Sequence, residues 1–219
     1  NLVKFLLREN YEIFVVARGI KQTPENFRIK FVKKNYDNNK IEWENLFREI
    51  KPKIVVDILG SYAPLVYETS KIYCKHFILC GSVWMFGESK IVPTPEQTQS
   101  PCIFSNYAKR YAEMLELKNT AKKEGIIFTA IMPPNICCPG KIPLDCYGDR
   151  NIENHQNHKK GYPVPLPEPD QTLIGPCDAE DVAKAFFLAV LKSQKAADEI
   201  FNVGSAYAIT SLNFVQTYE

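Results

Sequence analysis

What this chain has least of is clustered glycine. Its 219 residues hold 10 glycines, and none fall at the G-x-G-x-x-G or G-x-x-G-x-x-G spacing that lets a dinucleotide pyrophosphate approach the backbone at a helix N-terminus. Long apolar runs are missing too. None nears the roughly 20 residues that span a bilayer, and the opening Asn1-Leu2-Val3-Lys4 has no signal-peptide core. A cytoplasmic location and no membrane partner are the expectations. The 7 cysteines are odd in number and Cys137 and Cys138 are adjacent, which suits reduced thiols better than a disulfide framework. Excess charge of one sign is absent as well, with 27 basic against 25 acidic residues. The doublets Lys33-Lys34, Lys122-Lys123 and Lys159-Lys160 therefore read as solvated faces, not as a nucleic-acid track. His155 and His158, with Cys146 and Asp149 nearby, match no zinc spacing; a polar Asn/His loop explains them and no metal is expected.

What is present is an alternation of strand and helix patterns, and that alternation implies a parallel sheet. Leu2 to Leu7 read as the end of an amphipathic helix, and Tyr11 to Ala17 as a buried strand, a second strand without a first. Helices over Ile41–Ile50 and Ala63–Cys74 flank a strand at Ile54–Leu59. A strand from Phe77 delivers Ser82, a helix runs from near Ser105 to Glu124, and the strand Ile126–Met132 is closed by Pro133-Pro134. Residues 138–177 turn rich in Pro, Gly and Asn and read as a loop-laden substrate lobe. A helix from Asp178 to Lys192 and a short strand at Ile200–Gly204 return to the core, and Ile209 onward starts another helix. The expected division is 1–137 for the sheet domain and 138–219 for the lobe.

Several short motifs recur in order. They are Ala17-Arg18-Gly19 after a strand, Cys80-Gly81-Ser82 with Met85-Phe86-Gly87 behind it, and Val92-Pro93-Thr94-Pro95-Glu96. Then follow Ser105-Asn106-Tyr107-Ala108-Lys109-Arg110 with Glu113, Pro133-Pro134-Asn135-Ile136, Ala179-Glu180-Asp181-Val182 and Phe201-Asn202-Val203-Gly204. In order and spacing they resemble the extended short-chain dehydrogenase/reductase family, the NAD(P)-dependent epimerases and dehydratases, from the end of its first helix onward. The resemblance implies a Rossmann-type, doubly wound α/β sheet, here without its first strand and Gly-rich turn, so the sequence reads as a fragment. It also implies a small-molecule substrate, a sugar nucleotide or a similar hydroxyl or carbonyl compound, and a homodimer.

In that chemistry a tyrosine phenolate takes the hydroxyl proton as hydride leaves for the nicotinamide. A lysine one helical turn on lowers the tyrosine's pKa from about 10, and a serine holds the substrate oxygen. Ser82 fills the serine role. The Tyr-Lys pair is altered: four residues before Lys109 stands Ser105, and four residues after Tyr107 stands Tyr111. One alignment puts Ser105 in the tyrosine's place, a second puts Tyr107 there with Tyr111 replacing the lysine, and a third has a distorted helix start bring Tyr107 and Lys109 together. A serine hydroxyl is far the weaker acid, so Tyr107 is the preferred proton carrier, with Lys109 as positive charge beside the nicotinamide ribose. By the same resemblance the cofactor contacts fall on Arg18, Asp57, Leu59, Gly60, Lys109 and Pro134, and substrate contacts on Ser82, Trp84 and Asn135. Arg18 stands where a 2′-phosphate would sit, which leans towards NADP over NAD. The rival reading is a catalytically silent relative that binds a dinucleotide, RNA or a protein.

Overall fold

The fold follows from strands buried on both faces and the helices that cover them. A computed structural model describes residues 1–19, 26–98, 100–142, 144–168 and 171–217, in two compact units. The first unit comprises 1–132 and 183–202, the second 133–182 and 203–219.

In the first unit a short helix α1 (Leu2–Leu6) leads to strands β1 (Ile13–Ala17) and β2 (Ile29–Lys33), which pair in parallel with Ile13 opposite Ile29. Helix α2 (Lys40–Ile50) follows, then β3 (Ile54–Asp57), α3 (Ala63–Ser70), β4 (His76–Cys80) and a 3-10 turn at Val83–Phe86. Helix α4 (Ser105–Lys123) precedes β5 (Ile127–Met132). Helix α2 starts where it does because Asn39 accepts from the Glu42 N–H at 3.3 Å while its own amide donates to the Glu42 carboxylate at 2.8 Å, a reciprocal cap.

The second unit holds β6 (Asn135–Cys137), α5 (Ile152–Lys159), β7 (Leu173–Ile174) and β8 (Pro176–Asp178). From it α6 (Ala179–Leu191) runs into the first unit and ends before β9 (Glu199–Asn202); β10 (Ile209–Thr210) and α7 (Ser211–Gln216) return to the second.

The main sheet is parallel in the order β3-β4-β5-β9, with Phe77 of β4 opposite Val55 and Phe128. Successive residues point to opposite faces. Phe77, Leu79, Phe128, Ala130 and Met132 pack with Trp43, Phe47, Tyr67, Met114 and Leu117 of α2, α3 and α4. The residues between them, Ile78, Thr129 and Ile131, are equally buried, and Thr129 donates to the Ala196 carbonyl just past α6 at 2.6 Å. On α6 itself, Phe187 stacks on Phe5 of α1 at 5.5 Å. Burial on both faces is why these strands read as continuous apolar runs. In the second unit β6 pairs with β8 in parallel and β7 with β10 antiparallel.

The expected α/β parallel sheet is present; the short strands β6, β7, β8 and β10 lie in stretches not read as strand, and two further elements differ from expectation. The His155/His158 stretch is the helix α5, not a loop: Asn151 caps it by accepting from the Glu153 N–H at 2.9 Å, and no residue of it is buried. A helix with no apolar face leaves no periodic signal. Strand β2 escaped notice because Ile29-Lys30-Phe31-Val32-Lys33 is short, largely exposed and interrupted by lysines. Among the described residues no helix is long and apolar enough to cross a membrane.

Candidate functional site

Parallel strands deliver side chains and loops to their carboxyl ends, and the motif residues of the first unit gather there. Asp57, the last residue of β3, is buried, and both oxygens of its carboxylate accept hydrogen bonds. Oδ1 accepts from the N–H groups of Leu59 and Gly60 at 3.1 and 3.0 Å, and Oδ2 accepts from the Tyr36 hydroxyl at 2.8 Å. Burial raises the Asp57 pKa above the ordinary carboxylate value, while these three hydrogen bonds and the nearby Arg110 guanidinium pull it back. The Tyr36 oxygen in turn accepts from the Tyr62 N–H at 2.9 Å, and burial beside Asp57 raises the phenol's pKa. Asp57 thus turns the chain after β3 and fixes the first turn before α3.

Arg110, on α4, closes the same corner. Its Nη2 donates to the carbonyl of Leu59 at 3.1 Å and approaches that of Cys80 at 3.5 Å, tying together the ends of β3 and β4. Gly60, at φ +67°, must be glycine: a Cβ there would stand 2.6 Å from that Nη2 and 2.9 Å from the Cys80 carbonyl. The Arg110 Nε is buried without a hydrogen-bond partner.

Arg18, Asp57 and Leu59 line one cavity of about 880 Å³, together with Lys34, Asn35, Tyr36, Ser61 and Tyr62. Three of the six residues assigned to the cofactor are therefore brought together, with Arg18 exposed at the carboxyl end of β1.

Ser82 follows β4 and caps the 3-10 turn, its Oγ accepting from the Trp84 N–H at 3.3 Å. Gly81 before it is pressed against β5, where a Cβ would meet Met132 Sδ at 2.3 Å. Trp84, 42% exposed, lies nearly parallel to the Tyr107 ring, with centroids 6.4 Å apart, and Phe104 packs edge-on to both. Among the described residues the Tyr107 hydroxyl makes no hydrogen bond.

Helix α4 is regular from its first turn, with Ala108 N–H bonded to the Phe104 carbonyl at 3.0 Å. Residues two apart on such a helix point about 200° apart, which sends Lys109 away from Tyr107. Its Nζ lies 3.6 Å from Glu113, and its side chain is 76% exposed. Ser105 is the exposed first residue of the helix. Tyr111 takes the position one turn after Tyr107 and packs its ring against Phe86 at 5.8 Å.

In the second unit Asn135 opens β6 and sits beside Gly148, and Pro134 beside Gly204. Tyr36 and Arg110 were missed in the sequence. Tyr36 carries no motif, and its partner Asp57 is 21 residues away; Arg110 was in view only as a flank of Lys109, though a long basic side chain facing two strand ends is how α4 could have announced it.

Three kinds of likeness place this geometry. The model of the NAD dependent epimerase/dehydratase family matches residues 62–204. Among solved structures, UDP-glucose 4-epimerase of Thermotoga maritima, crystallised with UDP-glucose, superposes at a TM-score of 0.74 with 20% identity, covering 98% of this chain and 76% of that one. The dTDP-glucose 4,6-dehydratase of Bacillus anthracis, in complex with NAD, gives 0.77 with 15% identity over 99% and 74%. A chloroplast stem-loop binding protein of Arabidopsis thaliana is 25% identical over 95% of this chain, which spans only 56% of that relative's length. With more than half its residues matched by the family model and its sheet shared with these structures, the chain belongs to the NAD dependent epimerase/dehydratase family.

Proposed function

We propose that this chain carries the nicotinamide dinucleotide site and proton-transfer helix of an epimerase, dehydratase or reductase acting on a sugar nucleotide or a similar hydroxyl or carbonyl compound. The observation that carries the reading is the convergence of Arg18, Asp57 and Leu59 on one cavity at the carboxyl ends of β1 and β3, the place where such sheets bind dinucleotides. The residues present fit the adenosine half of that ligand. Arg18 offers an exposed guanidinium for a 2′-phosphate, and the Asp57 turn walls the groove; the Gly-rich phosphate turn has no counterpart in this sequence. When bound, the cofactor would supply the hydride acceptor. The chain's own part is to hold the substrate oxygen at Ser82 and to stack Trp84 over the proton carrier Tyr107. Lys109 serves the ribose only by leaving Glu113.

That last point favours a second reading, a catalytically silent relative that keeps the fold for binding RNA or another partner. The Arabidopsis relative's name describes stem-loop binding, and Lys109 lies beside Glu113, away from Tyr107. Titration with NADPH and NADH, followed by nicotinamide fluorescence, separates the two. Saturable binding, tighter for NADPH and weakened by Arg18→Ala, is expected; no binding of either would replace the enzyme reading by the silent one.

A further inference from the structure

The seven cysteines differ sharply in what surrounds them. Cys74, Cys80, Cys146 and Cys177 are buried, and burial raises the pKa of each thiol, to about 11 for Cys74 and Cys80. Cys102, Cys137 and Cys138 are half-buried. Cys102 donates to the Trp84 carbonyl at 3.1 Å and Cys137 to that of Asn135 at 3.6 Å. The Cys138 thiol makes no hydrogen bond among the described residues.

Cys137 and Cys138 line a cavity of about 440 Å³ that lies wholly within the second unit, within the size range of small-molecule sites. The local sequence sets its charges. Pro139 and Gly140 make the turn that this pair favours: Gly140 has φ +78°, and the Lys141 N–H donates to the Cys138 carbonyl at 3.2 Å, which brings Lys141 round to the cavity beside Cys138. Arg150 donates to the carbonyls of Ile136 and Ile142, which fixes its guanidinium at the same wall with N–H groups to spare. Asp178 stands opposite Cys137 in the β6–β8 ladder, its Oδ1 accepting from the Glu180 N–H at 2.5 Å. Two thiols thus share one space with two cations and one carboxylate, and Leu144 and Phe214 add an apolar wall. Partly exposed, electropositive surroundings are where thiols react.

We propose that this cavity docks a disulfide of the glutathione class and that Cys138 takes up a glutathionyl group from it. Each half of such a disulfide carries two carboxylates and one ammonium, the complement of Lys141, Arg150 and Asp178. The Cys138 thiolate attacks one sulfur of the disulfide. The bond from Cys138 to that sulfur forms as the ligand's own S–S bond breaks, and the other half leaves as a thiolate that takes up the proton Cys138 released. Cys138 is oxidised and the leaving half reduced, so the disulfide is the sole oxidant. None of these residues is among those assigned above to the dinucleotide or to its substrate.

Timed incubation of the purified protein with glutathione disulfide, read by intact mass and peptide mapping, tests the site. Cys138 should be modified first. Uncharged hydroxyethyl disulfide should react there at least about tenfold more slowly, each rate being divided by that of the same disulfide with N-acetylcysteine, because it gains nothing from the charged walls. Lys141→Gln should lower that preference about fivefold. First modification at any other cysteine would overturn the proposal, and so would equal normalised rates for the two disulfides or a preference that Lys141→Gln leaves intact. The comparison of disulfides on the wild type decides the matter even if the variant does not fold.

Discussion

The hydroxyl of Tyr36 donates to the Asp57 carboxylate at 2.8 Å while accepting from the Tyr62 N–H at 2.9 Å, so one phenol joins the loop after β2 to the turn after β3. Replacing it with phenylalanine removes both bonds and leaves a buried carboxylate with one fewer donor. Tyr36→Phe should cost about 1–3 kcal/mol in denaturant melts. The Asp57 pKa should also rise further, because the lost hydrogen bond is one of those holding it down, and carboxyl NMR titration would read that. A stability change under about 0.5 kcal/mol would mean that the pair is incidental.

Gly60 stands against Arg110 with positive φ. Gly60→Ala combines left-handed backbone strain with a Cβ forced onto the guanidinium, and a loss of about 1–3 kcal/mol is expected. Arg110→Ala in the same background should recover part of it by clearing the space. If the double variant is no more stable than Gly60→Ala alone, the close approach is not the cause.

His76 is the buried group with the clearest acid response. Thr129 spends its hydroxyl proton on the Ala196 carbonyl, so the His76 Nε2, 2.9 Å from Thr129 Oγ1, must be the donor; Nδ1 is then a buried nitrogen with no partner. Burial lowers the His76 pKa to about 4. The unfolded chain takes up the imidazole proton near about 6.5 and the native state only near its lowered value, so stability falls as pH drops through that window, by about 3 kcal/mol in total. Asp57 works in the opposite sense, since its raised pKa makes the native state the readier proton acceptor. Urea melts of the wild type and His76→Gln at pH 7 and 4.5 isolate the histidine: the variant should lose most of the slope, and parallel slopes would assign it to other groups.

The core strands were legible because β3, β4 and β5 are continuous apolar runs, a pattern that survives without any tertiary information. The lysine-broken β2 and the polar α5 were not, for neither buries a face that sequence can reveal. Ser82 and Tyr107 could be singled out by motif as candidates, and Asp57 by the oddity of a carboxylate in an apolar strand. What motif could not supply was direction. Lys109 faces Glu113 because helical pitch, not proximity in sequence, decides which side chains meet, and Arg110 reaches two strand ends for the same reason.

Between Ser105 and Tyr107 as proton carrier, the geometry of α4 makes the outcome measurable. Tyr107 lies beneath the Trp84 ring beside the 3-10 turn that Ser82 caps, whereas Ser105 is exposed at the helix start. In a screen of UDP- and dTDP-sugars, Tyr107→Phe should lower kcat by about 10²–10⁴-fold while leaving dinucleotide binding and the melting midpoint unchanged, since the ring and its stacking persist. Ser105→Ala should change kcat less than about twofold, because general acid–base transfer needs a group whose pKa a protein can bring towards neutrality. Lys109→Gln tests the remaining alternative: with its charge already on Glu113, it should act on the dinucleotide KM more than on kcat. Loss of turnover in Ser105→Ala with Tyr107→Phe still active would move the proton to the serine and require a base that the present arrangement does not place beside it.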